Sequence, residues 1–213
     1  MRATTLRVTT VGLLAAAVGL AACASVKDPT KYYILGAAPA AAQAPARPAA
    51  ADTGPTVGVG PVLIAGYLDR TAIVTRNADG QLDVSMYQRW AEPLELGVAQ
   101  TLVSELAARL GTERVIVYPW RGRFERVIDY QVGVVVIRFD GTLGRDVTLD
   151  ARWRIVDREL REIGLKRSTI TQPVNGDGYP ALVTAMNQAV AGLGGEIAAE
   201  IRALPGKRAA GGS

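Results

Sequence analysis

The chain has 213 residues, with 24 basic and 20 acidic side chains, no histidine and one cysteine. The missing histidines and the single thiol exclude Ser-His-Asp and Cys-His catalysis, the usual zinc sites and dithiol redox chemistry, and leave catalysis by carboxylates open. Most of the sequence reads as one substantial domain preceded by targeting and tether segments.

The N-terminus carries Arg2 and Arg7 and then an apolar run over residues 8–20. About 13 residues at 1.5 Å rise span roughly 20 Å, short of the roughly 30 Å hydrocarbon core, so the run reads as a secretion signal rather than a permanent membrane span. It ends in Leu20-Ala21-Ala22-Cys23, which resembles the bacterial lipobox. Residues 1–22 are therefore expected as a lipoprotein signal peptide. Cys23 is then a lipidation site carrying N-acyl and S-diacylglycerol chains, with no cofactor or metal. Buried acyl CH₂ groups contribute about 0.8 kcal/mol each, so several chains make a stable anchor. Ala24 follows where an aspartate commonly retains lipoproteins in the inner membrane, which points to the outer membrane. Without residues 1–22 the chain keeps 191 residues with 22 basic and 20 acidic groups, a balance that argues against nucleic-acid binding.

Residues 23–30 are expected as a tether and residues 31–205 as the domain. "KYYILG", residues 31–36, reads as a short strand pairing with the domain's sheet. The Ala/Pro-rich residues 37–55 lack large apolar side chains and read as a flexible insertion. At about 3.1 Å per residue such a segment reaches roughly 60 Å at most, enough to hold a domain well off a membrane. Val57, Val59 and Val62 mark a strand ending at Pro61-Val62. Its Gly58-x-Gly60 lacks the third glycine opening a helix that dinucleotide binding needs, so the glycines signal a bulge or close packing. "AIVTRN" and "QLDVSM" flank Asp79-Gly80 as a hairpin. Leu94, Val98, Leu102, Leu106 and Leu110 share one helical face over residues 93–110, with Pro93 in the first turn and Gly111 as C-terminal cap.

"RVIVYPW" reads as a strand. "DYQVGVVVIRF" is nearly continuous in β-branched residues, as expected for a strand covered on both faces. Val147 to Ile155 alternates with polar residues, as in a half-exposed strand, and another strand is expected over residues 163–171. Leu182, Met186, Val190, Leu193, Ile197 and Ile201 stripe a long helix from Pro180 to Pro205. Residues 206–213 read as a disordered tail. These elements predict a single α/β domain, with a mixed β-sheet packed against two main helices.

Tyr67, Leu68, Asp69 and Arg70, with Arg89, Trp90 and Glu92, mix aromatic and charged side chains as protein interfaces do, and form the candidate partner-binding surface. The competing reading is a buried ion pair with Trp90 plugging the N-terminal end of the helix.

The Tyr32-Tyr33-Ile34-Leu35 strand behind the lipobox, Val57-x-Val59-x-Pro61-Val62, Tyr67-Leu68-Asp69-Arg70, Ile73-Val74-Thr75-Arg76, Arg89-Trp90-Ala91-Glu92-Pro93-Leu94 and Pro119-Trp120 occur in an order and spacing that resemble the auxiliary lipoproteins of ABC-type transport systems. Thr71-Ala72 stands where that family has Pro-Gln. The resemblance implies a non-enzymatic lipoprotein on the periplasmic face of the outer membrane. Its implied partners are an MCE-domain periplasmic protein that conducts lipid, the associated ABC permease and ATPase, outer-membrane lipid, and further copies of itself. Two alternatives remain: a carrier holding an acyl chain inside the domain, and a cell-wall hydrolase using two of Glu92, Asp129, Asp140 and Asp150. For glycoside cleavage the hydrolase needs two carboxyls about 5–9.5 Å apart.

Overall fold

The computed structural model describes residues 28–36, 54–119 and 128–204. Cys23, nearly all of the Ala/Pro-rich segment, Trp120 and the expected tail lie outside the described residues. The elements in chain order are β1 (Lys31–Tyr33), β2 (Val57–Ile64), β3 (Ala72–Arg76), β4 (Leu82–Trp90), α1 (Leu94–Leu110), β5 (Val115–Val117), β6 (Tyr130–Thr142), β7 (Asp146–Asp157), β8 (Glu162–Pro173) and α2 (Gly178–Ala203).

The strands form two sheets where one was expected: a three-stranded sheet ordered β1-β4-β3 and a five-stranded sheet ordered β5-β2-β6-β7-β8. Both are mixed. β1 runs parallel to β4 while β3 pairs with β4 antiparallel, and β2 lies parallel to β5 and β6 while β6, β7 and β8 form an antiparallel meander. The pairing of Lys31 with Gln88 and of Tyr33 with Trp90 fixes the short N-terminal strand in the domain. The Ala/Pro-rich segment therefore follows β1 in sequence, so its reach of roughly 60 Å does not separate β1 or what precedes it from the domain.

Both helices pack on one face of the five-stranded sheet. Val98, Leu102 and Leu106 of α1 and Leu182, Met186, Val190, Leu193 and Ile197 of α2 meet Val57, Val59, Val132, Val134, Leu149, Trp153 and Ile155 in one core. The helices approach each other at Gly194, where a Cβ would lie 2.8 Å from the Glu105 Cβ. Gly111 closes α1 in the left-handed conformation, as its position predicts. Pro93 sits at the N-cap of α1, one residue outside the first turn, and α2 begins at Gly178, which places Pro180 in its first turn.

Two strands depart from expectation. β2 continues through Pro61 to Ile64, because its register against β6 shifts between Val59 and Val62. Gly60 makes that shift possible with φ of 128° and by close approach to Tyr118, and a proline without an N–H is tolerated at such an irregularity. β6, expected to be covered on both faces, leaves Val135 45% and Ile137 36% exposed. Its β-branched run suits the pleated backbone of a central strand whether or not the second face is buried.

Candidate docking cleft

The turn after β2 and the end of β4 meet at the N-terminal end of α1. The turn is held by Leu68 N–H donating to the Ala65 carbonyl and Asp69 N–H to that of Gly66, and Trp90 N–H then donates to the Thr71 carbonyl at 2.6 Å. The last bond brings the two predicted motifs together. Between them opens a cleft of about 220 Å³, lined by Asp69, Arg70 and Thr71 on one side and by the stretch from Trp90 to Glu95 on the other.

The sequence motif divides here. Asp69, Arg70, Trp90 and Glu92 line the cleft, and Arg89 precedes Trp90 on β4. Trp90 is only 5% exposed, so it forms a wall of the cleft and belongs to the core as well. Tyr67 and Leu68 do not line it: Leu68 is buried, and the Tyr67 hydroxyl donates to Asp140 Oδ2 at 2.7 Å and accepts from the Phe139 N–H.

Among the described residues, Asp69, Arg70, Arg89 and Glu92 make no ion pair, so the buried pair considered from sequence is not formed. Three buried side-chain polar atoms lack a hydrogen-bond partner among the described residues: Thr56 Oγ1, Arg89 Nε and Glu92 Oε1. Two of the three belong to this motif. Buried polar atoms in native proteins are overwhelmingly paired, so two exceptions three residues apart in one motif call for a water or a partner to complete them. Glu92 Oε1 lies 3.5 Å from where a Cβ on Gly97 would sit, folded over the first turn of α1. With Glu95 beside it and no side-chain cap from Pro93, the carboxylate complements the positive end of the helix. The charge of Arg89 reaches Asp28, whose carboxyl is held below its ordinary value first by hydrogen bonds to Thr30 and to a lesser degree by Arg89.

Asp140, fully enclosed, accepts Arg76 Nε at 2.8 Å and Nη2 at 2.9 Å, and Arg138 Nε at 3.1 Å, besides the Tyr67 hydroxyl. Burial alone would raise this carboxyl. The bonds from Arg76 and Tyr67 and the charges of Arg138 and Arg76 prevail and hold it below its ordinary value. Burial, and then the bond to Asp140, push the Tyr67 hydroxyl up to about 12. This cluster ties β3 and the Tyr67 turn to β6 and joins the two sheets. Sequence reasoning missed it, since Arg76 and Asp140 lie 64 residues apart with no pattern linking them.

The other hydrolase candidates are engaged as well. Asp129 accepts the Thr56 N–H and pairs with Arg158, and Asp150 is gripped by Arg167 through two hydrogen bonds. Glu92 alone of the four lines the cleft.

The profile of the ABC-type transport auxiliary lipoprotein component matches residues 33–198, from β1 well into α2. The chain belongs to this family. Both motifs of the cleft lie within the matched stretch. Among solved structures, an uncharacterised protein is 22% identical, with 81% of this chain and 98% of that one covered and a TM-score of 0.63. A Xanthomonas campestris protein is 18% identical, with 72% and 92% covered and a TM-score of 0.54. Both share the fold. No curated protein sequence matches the chain. Family membership makes the protein an auxiliary lipoprotein of an ABC-type transport system, in agreement with the resemblance drawn from its motifs.

Proposed function

We propose that the protein is a non-enzymatic, outer-membrane-anchored subunit of an ABC/MCE-type intermembrane lipid transport system, and that its cleft docks the periplasmic MCE-domain component. The observation that carries this reading is the pair of buried, unpartnered polar atoms, Arg89 Nε and Glu92 Oε1, beside a tryptophan-walled cleft. A partner group entering the cleft and donating to Glu92 Oε1 would satisfy that atom, and desolvated Trp and Arg positions dominate binding energy at interfaces. The cleft, about 220 Å³ and open, is smaller than the roughly 300–1,000 Å³ typical of small-molecule sites, which favours the side chains of a partner over a metabolite.

Anchoring through Cys23 supplies the membrane half of this role. Cys23→Ser should remove incorporation of labelled fatty acid and release the protein from the membrane fraction; undiminished label would refute the anchor. Ala24→Asp should move the protein to inner-membrane fractions on a density gradient, and an unchanged distribution would refute the outer-membrane assignment.

A further inference from the structure

The pairing of β1 with β4 gives the domain an orientation. Because the two strands are parallel, with Lys31 opposite Gln88 and Tyr32 opposite Arg89, the chain traced back from Lys31 toward Asp28 runs alongside the earlier part of β4. That part is exposed and apolar: Met86 is 69% exposed, Val84 51% and Tyr87 46%, and Tyr32 on β1 is 66% exposed. β4 is irregular between Val84 and Arg89, where its register against β3 shifts, so Met86 and Tyr87 project from the strand without strict alternation. Lys31 precedes Tyr32 on β1 and adds a cation next to it.

Cys23 precedes Asp28 by five residues, which reach about 18 Å at the most when fully extended. A diacylglycerol on that cysteine therefore holds the Asp28 end of the domain close to the bilayer. Aromatic side chains with an apolar body and a polar tip, neighbouring basic groups and an open apolar strand are the composition favoured at a headgroup boundary. We propose that the β1–β4 edge, through Tyr32, Val84, Met86 and Tyr87, is the surface that rests on the lipid bilayer, an inference that itself rests on the anchor reading of Cys23. The cleft lies at the opposite end of β4: Trp90 is four residues beyond Met86, up to about 13 Å along the strand.

The test uses the mature acylated chain in vesicles of phosphatidylethanolamine and phosphatidylglycerol that carry a headgroup spin label. The chain's one cysteine is taken up by lipid, so Met86→Cys provides a single free thiol for a fluorophore, with Tyr32→Cys as a second reporter on the same edge. Leu165→Cys, at a residue 64% exposed on β8 of the other sheet, is the reference. Quenching by the labelled lipid is expected to be several-fold stronger at positions 86 and 32 than at 165. Equal quenching at all three overturns the orientation. So does a disulfide crosslink between two copies of Met86→Cys without quenching, which would assign the edge to a second copy of the chain. Flotation and mass measurement of the parent separate the two layers: an acylated parent that floats while position 86 stays unquenched defeats the orientation alone, and an unacylated parent defeats the anchor and the orientation together.

Discussion

Tyr67 and Arg70 are three residues apart on one turn, yet they belong to polar clusters of opposite character. Around Tyr67 every group is matched: Asp140 receives two arginines and a hydroxyl, and the hydroxyl in turn accepts a backbone N–H. Around Arg70 the charges stand without ion pairs among the described residues, and Arg89 and Glu92 keep buried atoms that the fold does not satisfy. A fully satisfied network rigidifies and specifies a structure, whereas natural proteins leave such rules broken at functional or strained sites. The difference assigns the first cluster to the joint between the sheets and the second to recognition.

Substitutions can break that contrast, and the largest effect belongs to the joint. Asp140→Asn should destabilise the domain by about 3 kcal/mol, since removing one member of a buried ion pair typically costs about 3–5 kcal/mol and these arginines keep partial access to water. Urea unfolding checks the value. Because the folded carboxyl titrates below its ordinary value of 3.8, the stability it contributes is present above about pH 3.8 and lost as pH falls through the lower folded value. The wild-type protein should therefore lose stability on acidification more steeply than Asp140→Asn, and parallel acid profiles would contradict the assignment.

Tyr67→Phe should cost less, about 1–3 kcal/mol, by depriving the Phe139 N–H of its acceptor and Asp140 of a donor. A loss comparable to that of Asp140→Asn would mean that the hydroxyl carries the joint. Smallest is Glu92→Gln. The carboxylate atom has no hydrogen-bond partner and its charge only complements the helix end, so the unfolding free energy should fall by no more than about 1 kcal/mol. A large loss would show that Glu92 caps α1 and is structural.

The helices, the Asp79-Gly80 hairpin and the half-exposed β7 were legible because each rests on local periodicity or turn chemistry: the leucine stripe of α1, the glycine at its C-cap, and the alternation from Val147 to Ile155. The partition into two sheets was not, since it depends on which strands pair across long separations. The open face of β6 was hidden for a related reason, because β-branched side chains suit a central strand with one face covered or two. Within the site, the sequence brought forward the lining residues Asp69, Arg70, Trp90 and Glu92, with Arg89 next to Trp90, as interface-like, but it also placed Tyr67 and the buried Leu68 there. A tyrosine among charges reads alike whether its hydroxyl meets a partner protein or a carboxylate 73 residues away.

The central claim is that the cleft recognises a partner and does not hold the fold together. Reversing Arg70 and Arg89 to glutamate tests it most directly, with the unfolding midpoint of the isolated domain and capture of the MCE-domain component measured on the same preparation. The account predicts a midpoint within a few degrees of wild type and a complex weakened by several kcal/mol through like-charge contact. A midpoint that falls as far as that of Asp140→Asn, or a stable domain that still binds with wild-type affinity, would contradict it.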